Sequence, residues 1–349
     1  MVIYKIPDFD MNETVELKHQ KYSWLVSLII LFVLILLLDF GIKFAGPELA
    51  NFKVVFLGIV LEALPFILIG VVVSALLETF ISEEFIYKVL PKNRYASIMM
   101  ACCLGIVFPI CECGIVPVAR RLVSKGVPLY SAVAFMLAAP IINPVVISST
   151  AVAFSSNHTM VWLRMGAALL VSFATALVLS FSVKGTQLNP NAVINIGTCS
   201  HDHGCDHDHR AATFGNRIVR TIQASCDEFF EMGKYLIIGA FLGALAQTFI
   251  PRSLLSGVGQ NHLLSIIIMV GFAFAVSVCS SADAFIAASF AASFSPGALL
   301  AFMVMGPMVD IKNTLMLFKA FKSRFVLFMI PVIIILVVSA AYMINIFGG

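Results

Sequence analysis

From Phe325 to Phe347 the chain carries no charged side chain, and several other stretches come close to that condition. A bilayer crossing takes about 20 apolar residues in a helix, because only a helix or a closed barrel pairs every backbone N–H and C=O away from water. Comparable runs occur at Trp24 to Leu38, Phe52 to Leu77, Val127 to Phe154, Met160 to Val183, Phe230 to Ile250 and Gly297 to Phe318. With 60% of the 349 residues hydrophobic and 12% charged, little sequence is left for a soluble domain. The expectation is an all-α polytopic membrane protein with roughly seven to nine membrane segments and extensive contact with lipid. A balance of 22 Lys and Arg against 19 Asp and Glu is far from the basic footprint of a nucleic-acid binder, so no nucleic-acid partner is expected. The polar lead before Trp24 is long and no small-residue cleavage site stands directly behind the run, which favours a retained membrane helix over a cleaved signal peptide.

Ser97 to Pro109 and Leu263 to Val278 are apolar but short for a crossing, and each runs into a cysteine followed by small or polar residues. Both read as broken helices. Comparing the chain with itself links them. Glu62, Gly70 and Thr79-Phe80-Ile81 return as Glu231, Gly239 and Thr248-Phe249-Ile250. At nearly the same offset, Cys111 returns as Cys279, and Pro140 with Asn143 as Pro307 with Asp310. The sequence thus reads as a tail and first membrane helix (1–51), repeat 1 (52–155), a connecting helix (156–183), a polar loop (184–216), repeat 2 (217–322) and a last helix (323–349).

Cytoplasmic loops are enriched in Lys and Arg. Lys88, Lys92 and Arg94 before the first break, with Arg120, Arg121 and Lys125 after it, place both its ends on the cytoplasmic side as a re-entrant hairpin. The second break is flanked by sparsely charged sequence and faces outward, and Lys312, Lys319, Lys322 and Arg324 mark the cytoplasmic side again, giving the inverted-repeat plan of many secondary transporters.

At the first break stands Pro109-Ile110-Cys111-Glu112-Cys113-Gly114. Irregular backbone at membrane depth must line a cavity or pack inside protein, and two thiols around a carboxylate select thiophilic ions such as Cu(I) or Zn(II) over Mg or Ca. A pseudo-two-fold axis in the membrane plane would bring Cys279 close, giving a trigonal sulfur site suited to Cu(I) or trivalent arsenic. Asn143 and Asp310 follow proline-disrupted turns, and Asp310 and Glu62 are intramembrane acids, hence candidates for ion transfer or proton coupling. Cys102, Cys103 and the methionines Met99, Met100, Met303, Met305 and Met308 read mainly as apolar filling. The polar loop holds Cys199, His201, His203, Cys205, His207 and His209, an alternation of thiols and imidazoles that suits Zn or Cu and by this topology is cytoplasmic.

Cys111-Glu112-Cys113-Gly114 with Val116-Pro117, together with Ala139-Pro140-Ile-Ile-Asn143-Pro144 and the duplicated layout, resembles a bacterial predicted-permease family. That family includes organoarsenical efflux permeases and a branch regarded as copper and zinc efflux transporters, and the histidine-rich insertion looks like the latter. The resemblance implies an inner-membrane efflux permease, not an enzyme, with no prosthetic group and with Cu or Zn as cargo or loop-bound ion. No Gly-rich Lys-Ser/Thr phosphate loop occurs in the sequence, so an ion gradient would supply the energy. Competing readings are arsenical efflux by the same thiols, a membrane thiol oxidoreductase, whose cysteines would ordinarily stand two residues apart, and a metal sensor. A homo-oligomer is compatible with small helix-face residues such as Gly239 and Gly243.

Overall fold

The computed structural model describes residues 47–80, 91, 93–107, 111–155, 157–183, 185, 187–189, 214–249 and 262–347. Trp24 to Leu38, Pro109 and the Cys199 to His209 cluster lie outside them. Residues 55–349 form one compact unit, and everything below concerns it.

Regular structure among the described residues is helical, apart from one isolated bridge between Leu188 and Phe321. In chain order the helices are α1 (Pro47–Phe80), α2 (Arg94–Val107), α3 (Glu112–Ser124), α4 (Leu129–Ala138), α5 (Pro144–Ala153), α6 (Thr159–Ser182), α7 (Phe214–Phe249), α8 (His262–Val276), α9 (Asp283–Ser289), α10 (Pro296–Met308), α11 (Ile311–Ala320) and α12 (Ser323–Phe347). The second six repeat the first six: a long helix, a shorter apolar helix, a break, a short helix, two helices joined at a cap, and a long closing helix. The matching order extends the duplication seen in the sequence to the level of whole elements.

Packing exchanges the halves. α3 of the first half packs on α11 of the second, and α9 of the second packs on α5 of the first, the swap that a two-fold axis between repeats generates. α2 and α3 each lean on α4, as α8 and α9 lean on α10. Among the described residues, five segments are long and apolar enough to cross a membrane: Leu49–Ser74, Thr159–Ser182, Met232–Phe249, Pro296–Ala320 and Ser323–Ile346. In the most apolar stretch of Pro296–Ala320, which spans α10 and α11, 89% is buried inside the protein, against 33–44% for the others, so this pair is central and the others turn apolar faces such as Trp162, Leu61 and Ile335 outward. An apolar exterior of this kind, on helices of this length, fits lipid rather than water as the surrounding solvent. The chain is a multi-pass, all-helical membrane protein.

Two expected spans are not single helices. Val127 to Phe154 divides into α4, which ends at Ala138 ahead of Pro140, and α5, which starts where Asn143 takes extended backbone (φ −106°, ψ 155°) before Pro144 and caps the helix by accepting from the Val146 amide at 2.9 Å. Gly297 to Phe318 divides likewise at Asp310, extended at φ −131° and ψ 178°, whose side chain accepts from the Asn313 amide at 2.6 Å. Pro307 does not make this break; it sits inside α10, which continues to Met308.

Candidate functional site

Cys111 is the N-cap residue of α3, with extended backbone and no side-chain capping bond, so its thiol is not taken up by the helix-end amides. Glu112 opens the helix, where the N-terminal dipole favours negative charge, and Cys113 follows, fully enclosed and in hydrogen-bonding contact with Cys111. Pro117, four residues on, has no N–H to offer the Cys113 carbonyl.

The second break is held open differently. α8 stops at Val276, and Ser277 adopts φ +51°, the single positive φ at a non-glycine residue among those described. Such a conformation costs on the order of 1–3 kcal/mol and persists only where its surroundings hold it. Here the Ser277 hydroxyl accepts from the Ile311 amide at 3.1 Å and donates to the Phe274 carbonyl at 3.3 Å, while Gln247 Nε2 donates to the Val276 carbonyl at 2.7 Å. The end of α8 is thereby tied to α7 and to the first residue of α11. Two residues later Cys279 donates to a Glu62 carboxylate oxygen and lies 3.2 Å from the Ser281 hydroxyl.

The two breaks and α1 enclose a cavity of about 190 Å³. Its polar lining is Glu62, Cys111, Glu112, Cys113, Gln247, Ser277, Cys279 and Lys312. It thus brings together five of the residues singled out in the sequence: Cys111, Glu112, Cys113, Cys279 and Glu62. Glu62 is exposed, Cys111 and Cys279 are half-buried, and Glu112, Cys113 and Lys312 are buried, so the lining runs from an accessible carboxylate to an enclosed ammonium.

Lys312 Nζ stands 3.3 Å from Glu112 Oε1 and 3.4 Å from Asp310 Oδ2. Asp310 therefore reaches the cavity through Lys312 rather than lining it. A second buried pair joins the halves: Arg164 Nη2 contacts both Asp283 oxygens at 2.8 and 3.0 Å and also donates to the carbonyls of Ser280 and Met303, while its Nη1 donates to Thr150 at 2.8 Å. Asp283 opens α9 as Glu112 opens α3, and each is met by a cation from the opposite half.

Several expectations change. Asn143 is buried and absent from the cavity lining; its amide donates to the Ala139 and Pro140 carbonyls at 3.3 Å, so it finishes a helix joint. Arg120 and Arg121 do not mark a loop after the break: both are buried within α3, at 3% and 4% exposure. The three thiols share the cavity without forming a closed sulfur triad, since Cys279 is engaged by Glu62, and no group of three His, Cys, Asp or Glu side chains among the described residues is arranged to hold a metal ion. Cys102 and the α10 methionines are core, and Cys103 is exposed away from the cavity. Glu231 lies in α7, and nothing is described of its side chain. Lys312, read in the sequence as a marker of the cytoplasmic side, is buried in the cavity wall instead; Arg164 went unremarked, although a lone cation inside an apolar run is itself a signal.

Comparison with known proteins agrees with this architecture. Residues 48–346 match the family described as "Predicted permease". A Bacillus subtilis relative, UPF0718 protein YcgR, is 46% identical over 272 residues, which is 78% of this chain and 89% of the relative. A Streptococcus mutans relative, 39% identical over 254 residues (73% of this chain, 81% of the relative), is provisionally named a subunit of a two-component membrane permease complex. No solved structure matches. The match runs from α1 through both breaks and into α12, so it takes in the cavity together with the scaffold that forms it, and the chain belongs to the predicted permease family.

Proposed function

We propose that the protein is a secondary-active permease that exports soft heavy-metal ions, copper or zinc, from the cytoplasm across a bacterial inner membrane. The observation that carries this reading is the donor set of one cavity: three cysteines from two opposed helix breaks, with Glu62 and Glu112 beside them. Thiolates with carboxylates suit Cu(I) and Zn(II) and suit Mg or Ca poorly. About 190 Å³ has room for an ion with a few waters, each claiming roughly 30 Å³. Breaks that belong to two packed halves supply the geometry for alternating access, in which one half rocks against the other around a central site. The Cys199 to His209 cluster would collect metal on the cytoplasmic side and deliver it. As with the Streptococcus relative, a second subunit is part of this proposal.

Trivalent arsenicals are the competing cargo, favoured by one feature: among the described residues no imidazole lines the cavity, and arsenic(III) is satisfied by sulfur alone. The test is flux of Zn²⁺, Cu⁺ and arsenite into inverted membrane vesicles. Replacing Cys111 and Cys113 with Ser should abolish flux of the cargo while the protein stays folded in the membrane. Undiminished flux in that variant defeats the thiol site. Flux of arsenite alone transfers the assignment to arsenicals, and a change in thiol redox state without flux would point to an oxidoreductase.

A further inference from the structure

We infer that Lys312 is a tethered stand-in for the transported cation: its ammonium occupies the Glu112 carboxylate while the site is empty and withdraws toward Asp310 when metal loads. This rests on the proposed metal cargo and adds a selectivity and release device to it.

Four observations lead there. First, Lys312 lines the same cavity as Cys111, Glu112, Cys113 and Cys279, and among the described residues it is the cation of that lining. Second, its two contacts, 3.3 Å to Glu112 and 3.4 Å to Asp310, are both longer than the 2.7–2.9 Å of a well-made charge-assisted hydrogen bond. An ammonium shared at such lengths between two carboxylates can shift from one to the other with little loss. Third, the carboxylates are not equivalent. Asp310 is pinned by capping α11, its Oδ1 accepting from the Asn313 amide at 2.6 Å, and its Oδ2, without a hydrogen bond, faces the Lys312 ammonium at 3.4 Å, whereas Glu112 Oε2 is buried with neither a hydrogen bond nor an ion pair. A buried carboxylate oxygen with nothing to accept, in the wall of a cavity beside two thiols, is an unfilled cation position. Fourth, the stem of Lys312 is held. A side-chain carbon at Gly239 would fall 2.5 Å from the Lys312 Cα, so α7 presses on the backbone there and leaves only the flexible end free to move.

A metal ion arriving at Cys111 and Cys113 therefore meets a competitor for Glu112. Loading displaces the ammonium toward Asp310, and its return favours release. Lys312 acts through charge on the cargo's ligand, as a specificity and release residue.

The test is the metal concentration that half-protects Cys111 and Cys113 of the full-length protein from alkylation, resolved by peptide mass spectrometry so that the loop cysteines do not contribute. Zn²⁺ and reduced Cu⁺ are the probes. In Lys312→Met the half-protecting concentration should fall about tenfold, the change expected when one nearby positive charge is removed, and maximal flux should fall as release slows. In a Glu112→Gln background the same substitution should change protection less than twofold. Should Lys312→Met fail to fold, Lys312→Arg carries the test: a guanidinium can grip Glu112 through two parallel hydrogen bonds, so protection should need several-fold more metal. Unchanged protection in Lys312→Met, or an equal gain with and without Glu112, overturns the inference while the metal cargo stands. Wild-type thiols that no concentration of either metal protects would overturn both.

Discussion

The two breaks share an outline and differ in how they are fixed. At the second, Asp283 is gripped by one guanidinium that also holds the Ser280 and Met303 carbonyls and Thr150, all at 2.8–3.1 Å. At the first, Glu112 has a single ammonium at 3.3 Å that it shares with Asp310. Arg offers a planar fork that locks several acceptors at once, and Lys a point charge on a flexible stem. One break is thus a fixed reference and the other an exchangeable contact. That division suits a cavity that must bind and let go, because rocking needs one half to keep its geometry while the other trades partners.

The largest expected effect breaks the fixed side. Arg164→Met leaves Asp283 buried with no cation, in a pair whose side chains are 0% and 2% exposed. Removing one partner of such a pair costs about 3–5 kcal/mol. Thermal unfolding of the detergent-purified protein should shift further for Arg164→Met than for Glu112→Gln, which deletes a charge whose contact is already long. If the two shift equally, the contrast between a locked and an exchangeable break is wrong.

How much of this was legible in the sequence follows the same division. The cysteine-bearing breaks could be read because thiols interrupt an apolar run, and the duplication because Glu62 and Gly70 return in register as Glu231 and Gly239. Lys312 and Arg164 were as visible as letters, and Asp310 lies two residues from Lys312, but the acids that they meet across the halves, Glu112 and Asp283, stand roughly 120 to 200 residues away, and no local pattern carries that. Arg120 and Arg121 misled for a related reason. Counting basic residues near a span assumes that they lie in loops, whereas α3 takes both into the protein. Hydropathy, blind to the backbone, runs Val127 to Phe154 together as one crossing; the proline-disrupted turn at Pro140 was the local sign of its division, and the helix does end at Ala138 and start again after Asn143.

A middle-sized effect sharpens the comparison through the long helices. Gly70 and Gly239 hold equivalent places in α1 and α7, and each is a point of close approach: an added Cβ would lie 2.5 Å from the Gly114 backbone in one case and from that of Lys312 in the other. Gly58 and Gly233, on the same two helices, have nothing within 4 Å. Alanine at Gly70 or Gly239 should cost about 1–3 kcal/mol by overpacking, and alanine at Gly58 or Gly233 should be neutral or stabilise by up to about 1 kcal/mol through helix propensity. Melting curves of the four variants test this. Losses that do not separate the contacting pair from the open pair would mean that these crossings do not position α3 and α11.

The smallest expected effect concerns the two capped joints, which are alike in shape and unlike in charge. Asn143→Ala removes the acceptor for the Val146 amide and the donor to two carbonyls, and it should cost about 1 kcal/mol, the usual worth of an N-cap. Asp310→Asn keeps a competent cap, since Asn and Asp serve about equally well there, but it removes one of the two carboxylates that share Lys312. Its melting temperature should move less than that of Asn143→Ala, while metal protection of Cys111 weakens because the ammonium has lost its alternative partner and stays on Glu112. The two readouts therefore move in opposite order for the two variants. A joint that is only structural would move stability and protection together, and that result would reduce Asp310 to the role Asn143 already has.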